Sequence, residues 1–190
     1  MNEDKFLVII GPSGVGKTSL VRALRDRGLV YPVPSWTTRP PRPEEQDEQI
    51  DHIFVDEKEF EHRAKEGFFL EEVALFGLPY RYGLPPIDFA SAPKAVPVIL
   101  LRAPLVSLLQ EHYSNYIIYQ LEDTYAKVVG RLHDREKNGE QSGERLKMYE
   151  KEIAAGRSIA DKVIVNGDDY LTVVAEIESA ILQDFKKEEN

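Results

Sequence analysis

A glycine-rich segment between a short apolar run and a run with helical spacing constrains this chain more than any other feature. Residues 11–18 read Gly-Pro-Ser-Gly-Val-Gly-Lys-Thr and fit the pattern G-x-x-x-x-G-K-[ST]. Residues 6–10 are all apolar and rich in β-branched side chains, as in a buried parallel strand, and Leu20, Val21 and Leu24 recur at helical spacing. Strand, glycine loop and helix in this order predict a phosphate-binding loop.

The residue types in this loop suit a nucleoside triphosphate. Glycines at 11, 14 and 16 permit backbone conformations in which successive N–H groups point at phosphate oxygens, and the following helix adds the positive end of its dipole. We expect Lys17 to reach the β- and γ-phosphates and the Thr18 hydroxyl to bind Mg²⁺. The alternative is a glycine turn with a solvated lysine, which the flanking strand and helix disfavour.

Length and composition narrow the remaining possibilities. At 190 residues, with 42% hydrophobic and 30% charged residues, the chain is expected to form one compact unit. It has no cysteine, no apolar run of membrane-spanning length and an acidic start unlike a signal peptide, so the cytoplasm is the expected location. A net charge of −9 argues against nucleic acid as a partner, because binding to its backbone needs a basic surface. No membrane partner is expected, and the oligomeric state is left at monomer or homodimer.

Strand-like apolar runs alternate with helical segments, which predicts an α/β protein around a mainly parallel sheet. The predicted strands cover residues 6–10, 52–55, 68–73, 96–101, 116–121 and 162–166, the last of them buried. One predicted helix follows the glycine loop. Further predicted helices cover residues 56–65, 105–112, 124–131 and 169–185. Residues 77–85 are predicted to form a loop.

Two segments interrupt this alternation. The predicted division is a core (1–34, 91–125 and 153–190), an acceptor-binding insertion (35–90) and a lid (126–152). The lid is strongly polar, which favours an exposed, hinged helical flap over a packed core. The insertion begins with a proline-stiffened loop carrying Arg39 and Arg42, which suits bidentate capture of a phosphate. A polyproline-like surface ligand with solvated arginines is the open alternative for this loop.

Over nearly its whole length the chain resembles the guanylate kinase family, the P-loop kinases of a nucleoside monophosphate. The most specific matches are the glycine-rich loop and the segment Ser-Trp-Thr-Thr-Arg-Pro-Pro-Arg at 35–42. Further matches are Phe69-Leu70-Glu71, Tyr82-Gly83, Arg131-Leu132, Arg135, Arg145-Leu146 and Val163-Ile164-Val165-Asn166. The resemblance implies a P-loop NTPase-type parallel sheet flanked by helices, with an inserted acceptor-binding subdomain and a helical lid.

The resemblance also implies which residues bind ATP and the acceptor GMP. The positions that it assigns to ATP are Gly11, Pro12, Ser13, Gly14, Val15, Gly16, Lys17, Thr18, Ser19, Arg131, Arg135 and Asn166. The positions that it assigns to the acceptor are Ser35, Arg39, Arg42, Glu45, His52, Glu71, Tyr82, Leu84 and Arg102. Catalytic roles fall to Lys17, Arg39, Arg131, Arg135 and Arg145, with Mg²⁺ as cofactor at Thr18. The implied reaction converts GMP and ATP to GDP and ADP.

Three departures from the family pattern fall in the acceptor site. A family tyrosine is His52 here, and a serine or threonine that contacts the base is Leu84. Two aspartates of the central strand are replaced by Leu100 and Arg102. Loss of two polar partners predicts weaker discrimination among acceptors, at ~1–3 kcal/mol for each partner.

Two alternatives to the phosphorylation of GMP remain open. Some of the same residues resemble ribose 1,5-bisphosphate phosphokinases, so a more highly phosphorylated sugar is one alternative acceptor. Arg102 is then either a new anion contact or a cation at the end of a strand. A catalytically inactive, protein-binding module is the other reading, which the complete donor site disfavours.

Overall fold

The computed structural model describes residues 4–46, 49–75, 77–91, 94–136, 143–167 and 169–185, and these residues form two β-sheets with flanking helices. The strands are β1 (Phe6–Ile10), β2 (Val30–Pro32), β3 (Ser35–Thr37), β4 (His52–Phe54), β5 (Glu71–Ala74), β6 (Arg81–Leu84), β7 (Val96–Leu101), β8 (Tyr116–Glu122) and β9 (Lys162–Val165). The helices are α1 (Lys17–Asp26), α2 (Glu57–Lys65), α3 (Val106–Leu109), α4 (Tyr125–Glu136), α5 (Gly143–Arg157) and α6 (Tyr170–Asp184). Two 3-10 turns cover Pro43–Glu45 and Ala103–Leu105.

The central sheet is parallel, and its strands follow the order β2-β7-β1-β8-β9. Strand β1 lies in the middle, and all five of its residues are buried. Leu7 and Ile9 pack with α1 and α6 on one face, whereas Phe6, Val8 and Ile10 pack with α3 on the other. Helices on both faces bury a parallel strand completely, so the predicted α/β class is confirmed. The glycine-rich loop begins where β1 ends, at the carboxyl edge of the sheet.

Strand β9 and helix α3 differ from their sequence predictions. Within the described chain β9 pairs only with β8, so it is an edge strand, and Val163 and Val165 are 43% and 57% exposed rather than buried. Helix α3 ends at Leu109, three residues before the predicted end at His112. The chain turns there, because the N–H groups of His112 and Tyr113 both donate to the Leu109 carbonyl.

The insertion contains the second sheet, with strand order β4-β3-β6-β5. Strand β3 pairs in parallel with β4 and antiparallel with β6, which in turn pairs antiparallel with β5. The loop predicted over residues 77–85 is therefore wrong, because Arg81–Leu84 form β6. Flanking prolines and an internal glycine concealed this strand from the sequence pattern. Gly83 is required by packing, since a Cβ there would lie 2.6 Å from the ring of Phe69.

The lid helices α4 and α5 are more buried than their polar composition predicts. Val128 and Leu132 of α4, and Tyr149 and Ile153 of α5, belong to the hydrophobic cluster that includes α1 and α6. Each pair is four residues apart, so one turn of each helix faces the core. These apolar pairs are outnumbered by charged residues, so the sequence pattern predicts an exposed flap. The bounds of core, insertion and lid remain a prediction.

Two predicted helix starts are confirmed by capping carboxylates. Asp56 accepts a hydrogen bond from the Glu59 N–H at 2.7 Å at the start of α2, and Asp169 accepts from the Leu171 N–H at 3.1 Å at the start of α6. Among the helices in the described ranges, none combines the length and the apolar character needed to cross a membrane.

Candidate functional site

The glycine-rich loop joins β1 to α1 and depends on backbone geometry that favours glycine. Gly11, Gly14 and Gly16 have φ angles of 149°, 88° and 102°. A Cβ on Gly11 would lie 2.3 Å from the carbonyl oxygen of Leu121, so a larger residue would force the loop away from β8. The loop is therefore shaped by close contact with the neighbouring strand as well as by its own conformation.

Two cations are ordered beside this loop. The Nζ of Lys17 donates to the carbonyl oxygens of Gly11 and Pro12, at 2.7 and 3.0 Å. Arg131 of α4 donates to the Gly14 carbonyl at 2.8 Å, and it forms an ion pair at 2.7 Å with the fully buried carboxylate that follows β8, Asp123. Arg131 therefore connects a lid helix directly to the loop.

Only some of the residues that the sequence assigns to ATP line the cleft, and others support the loop from behind. Those that line the cleft next to the loop are Ser13, Gly14, Gly16, Lys17, Thr18 and Ser19. Val15 is fully buried, and Asn166 donates to its carbonyl oxygen at 2.9 Å, so Asn166 supports the loop from the end of β9. The side chains of Arg135 and Arg145 lie outside the described residues, although both positions fall within helices α4 and α5.

Glu45 holds the two arginines of the proline-rich loop together. Its carboxylate accepts from Arg39 Nη2 at 2.9 and 3.0 Å, and from Arg42 Nη1 at 2.6 Å. The same carboxylate accepts from the Arg42 backbone N–H at 2.9 Å. The side chain of Arg39 is only 8% exposed and lies over the ring of Phe54 at 5.1 Å. Arg39 is therefore not solvated, which contradicts the surface-ligand alternative for this loop.

His52 lies on β4 beside these arginines, between Ser35 and Asp51. Its Nδ1 is 2.7 Å from Ser35 Oγ, and its Nε2 is 3.7 Å from Asp51 Oδ2. The ring packs against that of Tyr82, with centroids 5.6 Å apart. Burial lowers the pKa of His52 below its usual range, and this effect exceeds the opposing influence of the Asp51 carboxylate. The imidazole is therefore neutral near pH 7.

The part of the cleft around Glu71 is mainly apolar. The aliphatic side chains that line it are those of Val73, Leu75, Leu84, Leu100, Leu101, Leu105 and Leu108. Glu71 Oε1 lies 2.9 Å from His112 Nε2, and the two residues are 41 positions apart in the chain. The sequence analysis missed His112, because it follows a short helix and belongs to no motif. His112 therefore holds one oxygen of Glu71. Among the described residues of β5, Glu71 is the only carboxylate that lines the cleft.

Arg102 also lines the cleft, but its guanidinium is paired with a helix of the lid. Its Nε donates to Glu152 Oε1 at 3.1 Å, and its Nη2 contacts the same oxygen. Glu152 lies on α5 and its side chain is only 4% exposed. Turning this guanidinium toward a phosphate would leave the buried Glu152 carboxylate without its ion-pair partner, so the geometry favours the strand-end cation over the new phosphate contact. The sequence reasoning did not identify Glu152.

Further polar contacts attach α5 to the end of β8. Tyr149 Oη donates to the Asp123 carbonyl at 2.6 Å, and Arg157 pairs with Glu122 at 2.6 and 2.7 Å. The hydrogen bonds from Arg157 lower the pKa of Glu122. The ion pair of Arg102 is thus one of several contacts that hold this helix against the carboxyl edge of the central sheet.

One cleft therefore brings together the glycine-rich loop, the paired arginines and Glu71. It encloses about 1180 Å³ of empty space, its open mouth included. A phosphate at the loop and a second phosphate at Arg39 and Arg42 would occupy the same cleft. Such an arrangement positions two phosphate groups for direct phosphoryl transfer.

Comparisons with known proteins agree with this geometry. A sequence model described as guanylate kinase matches residues 3–184. A guanylate kinase of Thermosynechococcus vestitus is 35% identical over 183 residues, covering 93% of this chain and 93% of that protein. One from Caulobacter vibrioides is 33% identical over 169 residues, covering 86% of this chain and 78% of that protein. The crystal structure of a guanylate kinase from Anaplasma phagocytophilum has the same fold, with a TM-score of 0.68 at 22% identity over 96% of this chain and 87% of that one.

Proposed function

We propose that this chain, which belongs to the guanylate kinase family, transfers the γ-phosphoryl group of ATP to GMP and so forms ADP and GDP. The observation that carries the proposal is the single cleft lined by both the glycine-rich loop and the arginines that Glu45 holds. Each end of this cleft offers cations suited to a phosphate, and Glu71 offers a carboxylate suited to the donors of a base. Catalysis then consists of positioning and charge neutralisation.

On the donor side, the loop N–H groups and Lys17 bind the phosphates of ATP. Lys17 is hydrogen-bonded to loop carbonyls, and its flexible ammonium can exchange these contacts for β- and γ-phosphate oxygens. Arg131 donates to the Gly14 carbonyl of the loop, and from there it is proposed to meet charge that develops on the transferring group. Arg135 and Arg145 are proposed to complete this set from the lid.

The donor set fits Mg²⁺ as the cofactor. Thr18 lies on the cleft wall next to Lys17 and offers a hydroxyl oxygen, a hard ligand of the kind that Mg²⁺ prefers. In the described residues no cluster of three or more acidic or histidine side chains forms a metal cage, and Mg²⁺ ordinarily takes its other ligands from substrate phosphates and water. When bound there, the ion would neutralise phosphate charge and orient the γ-phosphoryl group.

On the acceptor side, Arg39 and Arg42 bind the phosphate of GMP and direct one of its oxygens at the γ-phosphorus. Glu45 holds both guanidinium groups in one relative position, so little side-chain entropy is lost when the phosphate binds. Glu71 accepts from the N1–H and 2-amino group of guanine, while the aliphatic wall around it packs against the rest of the base. The acceptor phosphate itself is the nucleophile, so the reaction needs no nucleophilic side chain.

A bisphosphorylated sugar is disfavoured as the acceptor by the environment of Arg102. Arg102 could bind a second phosphate only by leaving Glu152, which would strand that buried carboxylate, whereas Glu45 also accepts from the Arg42 backbone N–H. The cytoplasmic location and the oligomeric state inferred from the sequence stay predictions.

The test is ADP release from ATP with a panel of acceptors: GMP, dGMP, AMP, UMP and ribose 1,5-bisphosphate. We expect GMP to give the highest kcat/KM, with weaker rejection of the other nucleotides than a fully polar base pocket would impose. Arg27→Ala, at the exposed end of α1, where Arg27 pairs with Glu178, is a control that should retain full activity. Higher kcat/KM for ribose 1,5-bisphosphate, or no ADP release with any acceptor, would overturn the proposal.

A further inference from the structure

A row of three polar residues lies beside the paired arginines: Ser35, His52 and Asp51. The arginines alone could bind a phosphate without this row. All three residues line the cleft. The His52 ring lies between the two others, with Nδ1 at 2.7 Å from the Ser35 hydroxyl and Nε2 at 3.7 Å from the Asp51 carboxylate. The row therefore connects a titratable ring to a hydroxyl on the cleft wall.

The direction of the hydrogen bonds follows from the chemistry of a neutral imidazole, which has one donor and one acceptor nitrogen. The Asp51 carboxylate favours the proton on Nε2, so Nδ1 accepts and the Ser35 hydroxyl donates to it. The Asp51 carbonyl, 3.3 Å from Ser35 Oγ, is the longer alternative acceptor. In either case the hydroxyl hydrogen of Ser35 is directed at the protein.

We propose that His52 binds a proton from solvent when a phosphate dianion enters beside Arg39 and Arg42, and that this proton reverses the hydrogen bond to Ser35. Both nitrogens of an imidazolium are donors, so Nδ1 then donates to Ser35 Oγ and Nε2 faces Asp51 as an ion pair. The Ser35 hydroxyl becomes free to donate to the acceptor phosphate. His52 is therefore a positioning residue that acts through Ser35. The inference rests on the proposed binding of the acceptor phosphate at the two arginines.

The charges around His52 support this coupling. Burial, Arg39 and Arg42 lower the pKa of His52, whereas Asp51 and Glu45 raise it. Tyr82 of β6 is the other titratable group against the ring. A phosphate dianion at the arginines cancels their repulsion of an imidazolium and adds negative charge of its own, so its arrival raises the pKa of His52. Acceptor binding and proton binding at His52 then favour each other.

The test is calorimetric titration with GMP at pH 7.5, in two buffers that differ in ionisation enthalpy, which gives the number of protons bound with the ligand. We compare the unmodified protein with His52→Gln, which keeps a hydrogen-bonding side chain but cannot titrate. His62→Gln, on the exposed surface of α2, is the matched control. The unmodified protein and His62→Gln should take up a measurable fraction of a proton more, at most one, than His52→Gln. The titration of the GMP phosphate itself occurs in all three and cancels in the difference.

Equal proton uptake in the unmodified protein and His52→Gln, with GMP still bound, would overturn the inference and leave the proposed function standing. Failure of the unmodified protein to bind GMP would overturn both. If His52→Gln does not fold, the ring resonances of His52 in the unmodified protein supply the answer by NMR, because their titration midpoint should rise when GMP is present. An unchanged midpoint contradicts the coupling.

A second variant tests whether the proton acts through the hydroxyl. Ser35→Ala should raise the KM for GMP by about threefold to tenfold while leaving the KM for ATP unchanged. His52→Gln should add little further loss in the Ser35→Ala background, since the two residues act in sequence. Independent, additive losses would show that His52 does not act through Ser35.

Discussion

The donor and acceptor halves of the cleft are built in different ways. The donor half is one continuous segment whose backbone curves between β1 and α1, with a lysine that is hydrogen-bonded to the loop itself. The acceptor half combines the arginine loop with side chains of separate elements, and two of its supporting pairs lie far apart in the chain, 41 positions for Glu71 and His112 and 50 positions for Arg102 and Glu152. A local backbone site depends on neighbouring residues, whereas a site made from distant pairs is disturbed when only one partner of a pair changes.

The largest effect should come from the donor half. Lys17→Ala should lower kcat about a thousandfold with every acceptor, because it removes a cation aimed at the transferring phosphate, with a loss of about 4 kcal/mol. The free energy of unfolding should change little, since Lys17 is only partly buried and contacts loop carbonyls. Steady-state kinetics and urea unfolding measure the two quantities. A kcat near that of the unmodified protein would remove Lys17 from the catalytic site.

Arg102→Asp should produce the next largest effect, and it should appear as a loss of stability. It introduces the aspartate that the family resemblance implies for this strand, but it places a second carboxylate beside the buried Glu152. Breaking this largely buried pair should cost about 3 kcal/mol of the free energy of unfolding. Leu84→Thr combined with Arg102→Asp is therefore a poor test of GMP specificity unless Glu152 is changed as well.

The matched comparison for this pair is Arg102→Met with and without Glu152→Gln, measured by urea unfolding. Arg102→Met alone leaves an unpaired buried carboxylate, whereas the double variant leaves none, so the double variant should recover most of the lost stability. Equal destabilisation in both variants would mean that the two side chains do not interact. Arg102 would then again be a candidate for a phosphate contact.

Arg42→Ala should have a smaller effect that is confined to the acceptor. It removes one of two guanidinium groups on the acceptor phosphate, which should lower kcat/KM for GMP about thirtyfold, or about 2 kcal/mol, and leave the KM for ATP unchanged. Arg27→Ala is the matched control, because Arg27 is exposed at the end of α1 and pairs with Glu178. An equal loss of ATP affinity would place Arg42 on the donor side.

The contrast between the halves also explains what the sequence could predict. The glycine loop, strand β1 and the capped starts of α2 and α6 depend on neighbouring residues, and all were predicted correctly. Strand β6 was taken for a loop because its pairing partners, β3 and β5, lie elsewhere in the chain and its own residues alternate poorly. Glu152 and His112 were missed for the same reason, since only the fold brings each of them to its partner.

The smallest effect is expected at His112, where it tests whether a distant partner contributes to acceptor recognition. His112 holds Glu71 Oε1, which leaves Oε2 free to accept from the base. His112→Ala should therefore raise the KM for GMP only about twofold to threefold, because the side chains of this pair are 29% and 23% exposed and water can replace the imidazole in part. The KM for ATP should not change, and His62→Ala, on the exposed face of α2, is the control. A lower KM for GMP would have the opposite meaning: His112 would compete with guanine for Glu71, and the pair would have to break before the acceptor binds.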